Sequence, residues 1–257
     1  MNAEHGQTRR GVLRSAVAGG VGAGLAATIG AGTPAHAAAP RRIRVAVLLY
    51  EGVTALDAVG PYEVLCRVPD VRVTMVAKTA GPVRTDTGEL TLVAERALSE
   101  VPRAEVLLVP GGGQPGALDM MKDTAVHDWI RRIDRHSLWT TSVCTGALIL
   151  GAAGLLRGVP AATYWAARPM LKDFGAIDTP GRFVESGKII TAAGVSAGID
   201  MGLHLAARLS DDRTAQAMQL GIEYDPQPPY DTGSPEKADP ELRKLALKLL
   251  DDAGRAR

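Results

Sequence analysis

Short apolar runs alternate with helix-compatible segments along most of the chain. Four runs are apolar or rich in β-prone residues, as is typical of strands covered on both faces: 43–50, 71–77, 106–109 and 139–143. Helical segments separate these runs, and strands joined by helices form mainly parallel sheets. We therefore expect an α/β fold, with a mainly parallel sheet sandwiched by helices in a single domain. Functional residues in such folds lie at the carboxyl ends of the strands.

The rest of the pattern completes this prediction. A hairpin is expected within residues 83–93, and short strands within 162–165 and 183–193. Helices are predicted over 124–136, 166–174, 199–209, 211–220 and 242–249. The last helix is amphipathic and follows an exposed Pro-rich segment at 225–240. No internal repeat and no second domain are expected.

Charge and composition exclude some classes of partner. The 257 residues include 29 Lys or Arg and 28 Asp or Glu, so the formal net charge is +1. A balanced charge gives no global attraction to nucleic acid or to an anionic membrane surface. With 46% hydrophobic and 22% charged residues, the chain is typical of a globular protein. We expect its partner to be a small-molecule substrate.

The first residues resemble a twin-arginine export signal. Arg9 and Arg10 precede an apolar run at 16–31, and a small-x-small cleavage site follows at 35–37. Sixteen helical residues reach about 24 Å, which is shorter than the hydrocarbon layer of about 30 Å, so a stable membrane anchor is not expected. We predict that residues 1–37 direct export to the periplasm or the cell exterior, and that residues 38–257 form the mature domain.

Cys144 lies where a strand is expected to turn sharply into a helix. The stretch 138–150 (LWTTSVCTGALIL) is β-prone before Cys144 and helix-compatible after it. This is the position of an exposed nucleophile in many hydrolases, and the free N–H groups at the start of a helix favour a thiolate. A buried structural cysteine would fit the same local sequence.

Two further loops are expected at the same edge of the sheet. Asp57 follows the first strand, near the start of a helix, where it is either a functional acid or a helix cap. Gly112 and Gly113 follow the strand at 106–109, which allows close backbone approach to a small group or a tight turn. The backbone N–H groups of Gly112, Gly113 and Thr145 can stabilise a developing negative charge, so this convergence favours a catalytic Cys144.

Histidine and metal chemistry are not expected at this site. A protease or glutaminase thiol generally works beside a histidine base, but the only histidine after Cys144 is His204, inside an apolar helix. His127 and His136 are spaced too far apart for joint ligation, and no His/Cys pair has metal-ligand spacing. We expect a thiol and an acid without an imidazole, and neither a metal nor another cofactor.

Several motifs together carry a family resemblance. The region from 43 to about 229 resembles the ThiJ/PfpI family of the class I glutamine amidotransferase-like fold, and within it the isonitrile hydratases. The matching motifs are 57–63 (DAVGPYE), 109–113 (VPGGG), 142–147 (SVCTGA), 194–200 (GVSAGID) and 224–229 (YDPQPP). The family also includes sensor domains of transcription regulators, but this chain has no candidate DNA-binding segment.

The resemblance implies roles for individual residues. Cys144 is then the nucleophile, Asp57 its acid/base partner, and Thr145 lies beside them. Many relatives have histidine within Thr-Thr-His-Trp, whereas this chain has Tyr164 followed by Trp165, so we expect these two aromatic residues to contact an altered substrate. The resemblance also suggests a homodimer.

The expected reaction is hydration of an isonitrile. Cys144 adds to the terminal carbon of R–NC, Asp57 and Thr145 supply a proton and position water, and the resulting thioimidate is hydrolysed to an N-substituted formamide. The alternatives are a non-catalytic small-molecule or redox-sensing module, and a glyoxalase or stress protein.

The two cysteines are not expected to form a disulfide, although export would permit one. Cys66 lies nine mostly helical residues after Asp57, or about 12 Å away, whereas bridged Cα atoms lie within about 7 Å. If Asp57 contacts Cys144, the bridge cannot form and both thiols are free.

Overall fold

In the computed structural model, which describes residues 42–255, the apolar run Val106–Val109 forms a strand with every side chain buried. It lies in a seven-stranded sheet with helices on both faces. The strands are β1 (Ile43–Leu48), β2 (Val71–Ala77), β3 (Gly81–Arg84), β4 (Thr91–Ala94), β5 (Arg96–Ala97), β6 (Val106–Val109), β7 (Trp139–Ser142), β8 (Pro160–Ala161), β9 (Ile177–Asp178), β10 (Phe183–Ser186) and β11 (Ile189–Ala192).

Seven α-helices fall within the described residues. They are α1 (Ala55–Leu65), α2 (Gly116–Met120), α3 (Thr124–Asp134), α4 (Gly146–Ala152), α5 (Ala197–Leu209), α6 (Asp212–Gly221) and α7 (Pro240–Arg255). Helix α7 begins earlier and ends later than the sequence predicts. Its first residue is a proline, which needs no hydrogen-bonded N–H there, and Asp239 Oδ1 accepts the N–H of Leu242 at 2.8 Å.

The predicted α/β fold is confirmed. The sheet order is β10-β11-β7-β6-β1-β2-β5, and only β10 runs antiparallel to its neighbour. The hairpin expected within 83–93 is also present, since β3 pairs with β4 in an antiparallel arrangement. Because β1, β6, β7 and β11 are parallel neighbours, the loops that follow them meet at one edge of the sheet.

The strand predicted at 162–165 is wrong. The described structure has no strand at these positions. The two-residue β8 ends at Ala161, and the residues after it are held by hydrogen bonds that involve side chains instead of by a sheet ladder. The N–H of Ala162 donates to Thr191 Oγ1 at 2.8 Å, and Thr163 Oγ1 donates to the carbonyl of Cys144 at 2.7 Å. This segment therefore braces the loop that carries Cys144.

The helix predicted at 166–174 is a 3₁₀ helix, Trp165–Phe174. Pro169 lies inside it and lacks the N–H that a regular α-helix would use. Gly175 ends the segment with a φ of 69°, a conformation that glycine adopts without steric cost.

Close helix packing fixes the position of α1. A Cβ on Gly198 or on Gly202 of α5 would lie 3.2 Å from atoms of Pro61, so glycine at both positions lets the two helices approach. The first turn of α1, which contains Asp57, is thereby held against the end of the sheet.

Residues 1–37, predicted as an export signal, lie outside the described residues. Within 42–255, no helix is both long enough and apolar enough to cross a membrane. The two cysteines are free, as the distance argument predicted. Cys66 is half-buried at the C-terminus of α1, so it belongs to the helix end instead of the core.

Candidate active site

Cys144 lies at a sharp turn between β7 and α4. Its φ is +56°, an uncommon conformation for a residue with a side chain. Its N–H donates to the carbonyl of Ala193 at 2.8 Å, while its own carbonyl accepts the Thr163 hydroxyl. Gly146 makes the turn possible, because a Cβ there would lie 2.0 Å from the carbonyl oxygen of Val109. The predicted strand-turn-helix position of Cys144 is therefore confirmed.

Asp57 lies in the first turn of α1 and is fully buried. It is not the helix cap, because Thr54 occupies that position. Its Oδ2 accepts the N–H of Gly111 at 2.9 Å. Its Oδ1 is buried and accepts no N–H or O–H hydrogen bond from the described residues, and the Cys144 side chain interacts with this same carboxyl.

Burial raises the pKa of Asp57 from its ordinary range to about 7. The Gly111 N–H and the Cys144 side chain oppose this shift, while the charge of Asp86 adds to it. At neutral pH the carboxyl group is therefore close to half protonated and can both accept and donate a proton.

The Cys144 thiol is protonated in the resting site. Burial raises its pKa, and the charge of Asp57 raises it further. The backbone N–H groups of Thr145 and Val195 hydrogen-bond to the sulfur and oppose the shift. The N–H at the start of α4 favours the thiolate, as expected, but Cys144 is only 6% exposed and desolvation outweighs this effect.

The glycine loop, residues 111–113, uses its N–H groups in hydrogen bonds within the protein, so they are not free to bind a substrate. Gly112 N–H donates to Thr145 Oγ1 at 3.0 Å, and Gly113 N–H donates to the carbonyl of Gly52 at 3.0 Å. Glycine is required at 112, because a Cβ there would lie 2.4 Å from the Gly52 carbonyl oxygen. The role predicted for Gly112 and Gly113 as donors to a negative charge is therefore not available in this arrangement.

A cavity of about 660 Å³ opens onto Cys144. Gly112, Gly113, Thr145 and Tyr164 line it, as predicted for residues that meet the substrate. The structure does not bring Trp165 to this cavity. Trp165 instead lines a separate space of about 220 Å³ against the residues before and within α7, although its ring centroid lies 5.5 Å from that of Tyr164.

Sequence reasoning missed several residues of the site. Val195 follows β11 and has a positive φ of 22°. The available signal was its position directly after the short strands predicted within 183–193, inside the motif 194–200. On the opposite wall, Thr54 Oγ1 donates to Asp86 Oδ2 at 2.6 Å, and both residues line the cavity.

The histidines lie away from the thiol. His204 Nε2 bonds to Glu185 Oε2 at 2.5 Å, and His127 Nε2 bonds to the carbonyl of Met120 at 2.9 Å. Neither lines the Cys144 cavity. Within the described part of the chain, no group of three or more His, Cys, Asp and Glu residues could hold a metal ion.

Comparison with known proteins places this geometry in a family. The DJ-1/PfpI family profile matches residues 43–208. The chain is 44% identical to an isonitrile hydratase of Pseudomonas putida over 212 residues, which is 81% of this chain and 92% of that protein. This identity supports a hydratase-like enzyme. It is also 29% identical to the HTH-type transcriptional regulator GlxA of Rhizobium meliloti, over 62% of this chain and 49% of the regulator.

Solved structures agree with the sequence comparison. The crystal structure of a ThiJ/PfpI family protein from Pseudomonas syringae matches with a TM-score of 0.77 and 35% identity, over 86% of this chain and 95% of that one. Drosophila melanogaster DJ-1beta, at 20% identity and a TM-score of 0.64, covers 71% of this chain and 98% of its own, and shares the fold. The chain therefore belongs to the DJ-1/PfpI family, also called ThiJ/PfpI.

Proposed function

We propose that the protein is an isonitrile hydratase, which adds water to R–NC and releases an N-substituted formamide. The observation that carries the proposal is the buried pair of Cys144 and Asp57. Cys144 lines the cavity of about 660 Å³, the fully buried Asp57 interacts with its side chain, and no histidine of residues 42–255 lines this cavity. A neutral thiol next to a carboxyl of pKa about 7 suits the addition of S–H to a small uncharged carbon. The identity with the Pseudomonas putida enzyme supports the same reaction.

In the first step, Cys144 adds to the terminal carbon of the isonitrile. The ionised Asp57 takes the thiol proton while sulfur forms its bond to carbon, and the new carboxyl group returns that proton to the same carbon. The product is a thioformimidate, R–N=CH–S–Cys144, so no charge is left on the intermediate. The N–H groups of Thr145 and Val195, which already face the sulfur, stabilise the negative charge that develops during proton transfer.

In the second step, water hydrolyses the intermediate. The water oxygen adds to the imidate carbon, and one water proton passes through Asp57 to the nitrogen. The carbon–sulfur bond then breaks as the remaining hydroxyl proton returns to sulfur, again through Asp57. We assign to Thr145 the positioning of this water, since its side chain lines the cavity next to Cys144. The thiol and the carboxyl are regenerated.

The test is product formation from a simple aliphatic isonitrile. Mature protein is incubated with cyclohexyl isocyanide, and N-cyclohexylformamide is measured by gas chromatography. We expect formamide from the wild type and none above background from Cys144→Ala. Absence of product across the pH range, or undiminished product from the variant, would contradict the proposal.

The same samples distinguish the alternative activities. Consumption of methylglyoxal without formamide production would indicate a glyoxalase. A redox sensor needs a thiolate that peroxide oxidises readily, and the raised pKa of Cys144 argues against that role.

A further inference from the structure

Helix α7 forms one wall of the Cys144 cavity. Leu247 and Leu250 line the cavity from this helix, and the lining residues outside α7 come from segments between Thr54 and Val195. The apolar side chains among these are Ala117, Leu118, Met121, Leu148, Ala166, Ala167 and Met170. A segment outside the residues matched by the family profile, 43–208, therefore shapes the space in front of the thiol.

The two ends of α7 lie near different parts of the domain. Near its start, Leu242 and Arg243 line the same small space as Trp165, which explains why Trp165 faces the tail instead of the thiol. Near its end, a Cβ on Gly254 would lie 3.7 Å from the carbonyl oxygen of Asp86. The last two turns of the helix, from Leu247 to Gly254, are the part that lines the Cys144 cavity.

The cavity lining is polar beside the thiol and includes aliphatic side chains on α7. The hydroxyl groups of Thr54 and Thr145 line it together with Cys144, whereas α7 contributes Leu247, Leu250 and Ala253 and, among them, the charged Lys248 and Asp251. Lys248 forms an ion pair with Asp252 along the helix. An isonitrile has the same polarity, with a small polar group at the reacting carbon and an apolar substituent on nitrogen.

The size of the cavity exceeds what the reacting group requires. Its volume of about 660 Å³ falls in the range of pockets that enclose whole drug-sized ligands, roughly 300–1,000 Å³. The two leucines are 40% and 61% exposed without a ligand, so they retain apolar surface that a ligand can bury.

We propose that Leu247 and Leu250 bind the nitrogen substituent of the isonitrile, and that the preferred substrates carry a bulky aliphatic substituent. This inference rests on the proposed function, and it names the substrate class of the same site. Each additional methylene buried against the leucine wall strengthens binding about four-fold. The value of kcat/KM should therefore rise steeply with the size of the substituent.

The helix supplies a matched pair of variants. Leu245 and Leu249 lie on another face of α7 and do not line the cavity, yet they are 48% and 58% exposed. The test variant is Leu247→Ala with Leu250→Ala, and the control is Leu245→Ala with Leu249→Ala. Both remove the same number of atoms from the same helix.

The first measurement is kcat/KM for tert-butyl and 1-adamantyl isocyanide. The wild type and the control should have a higher kcat/KM for the adamantyl compound than for the tert-butyl compound. In the test variant the ratio of these two values should be about ten-fold lower, mainly because KM for the adamantyl compound is higher. Equal ratios in the test and control variants, or a wild-type preference for the tert-butyl compound, would overturn the inference.

The second measurement does not require turnover. Calorimetric titration with N-(1-adamantyl)formamide should show about ten-fold weaker binding to the test variant than to the control. If this difference appears but no isonitrile is hydrated, the binding role of Leu247 and Leu250 is supported and the proposed function is contradicted. If small isonitriles are hydrated but the formamide binds both variants equally, or binds neither, the role of Leu247 and Leu250 is contradicted and the proposed function is supported.

Discussion

A thiol and a carboxyl that both resist ionisation form a different catalytic pair from a thiolate and an imidazolium. Burial raises the pKa of Cys144 and of Asp57; the charge of Asp57 raises the pKa of Cys144 further, while the hydrogen bond from Cys144 lowers the pKa of Asp57. The apparent values therefore belong to the pair and not to either residue alone. With one shared proton, the pair can add S–H across a single carbon without leaving a net charge.

The pH dependence of activity follows from the raised pKa of Asp57. Asp57 must be ionised to take the thiol proton, and its pKa is about 7 instead of 3.8, so it is protonated and inactive as a base below that value. We expect kcat/KM for a non-titrating isonitrile to rise between pH 5 and 9, with an apparent pKa of about 7.

Asp57→Asn should remove this rise and lower kcat/KM at pH 8 by roughly 100-fold or more. Asp173→Asn, at an exposed position that does not line the cavity, is the control and should retain the wild-type profile. Activity that falls from pH 5 to 9 would mean that Asp57 acts as an obligatory acid in the first step.

At the scale of elements, the site depends on backbone crowding at the turn between β7 and α4. Gly146 lies directly against the end of β6, and Cys144 is held in the left-handed region by hydrogen bonds from both sides. Such a turn tolerates little side-chain volume. The backbone geometry of this turn determines the direction of the Cys144 side chain.

Gly146→Ala should therefore reduce both stability and activity. The added Cβ would meet the Val109 carbonyl oxygen at 2.0 Å, and forcing the two apart should lower the free energy of unfolding by at least about 2 kcal/mol. Gly221→Ala in α6 adds the same atom where nothing lies within 4 Å, and its stability should not fall. Urea unfolding measures the free energy of unfolding of both variants. Equal values for the two would contradict this account of the turn.

Element order made much of the site predictable. Asp57, the glycine loop and Cys144 follow β1, β6 and β7, and continuous apolar runs are enough to identify those strands and to place their ends together. Val195 follows β11 by the same logic, but the N–H that it directs at the sulfur depends on a local backbone turn that no side-chain pattern specifies.

Other features depend on tertiary structure. The start of α4 favours the thiolate of Cys144 as expected, but the larger opposing effect is desolvation, which comes from the whole surrounding core and cannot be read from a helix end. The strand at 162–165 was wrong because Thr163 uses its hydroxyl to hold the Cys144 loop. The amphipathic pattern at 242–249 predicted α7 as a helix, but nothing in that pattern indicated the cavity that it covers.

At the scale of the whole molecule, export and dimerisation stay predictions. We propose that residues 1–37 direct export by the twin-arginine route, since the paired arginines, the apolar run and the small-residue site occur in the required order. The homodimer suggested by the family resemblance is testable by sedimentation velocity, which would show a mass near that of one chain if the suggestion is wrong.

The export proposal predicts the mature N-terminus. Edman sequencing of protein recovered outside the cytoplasm should begin near Ala38, and replacing Arg9 and Arg10 with lysine should reduce the exported amount. Recovery of exported protein that retains Met1 would contradict cleavage after Ala37.

The central claim is that Cys144 bonds covalently to the isonitrile carbon, and rapid acid quench with mass spectrometry tests it most directly. Protein mixed with cyclohexyl isocyanide and quenched within the first turnover should carry the mass of one isonitrile on the peptide that contains Cys144. Cys144→Ala should carry none. Formamide production at full rate without any adduct on that peptide, or with an adduct only at Cys66, would contradict the account.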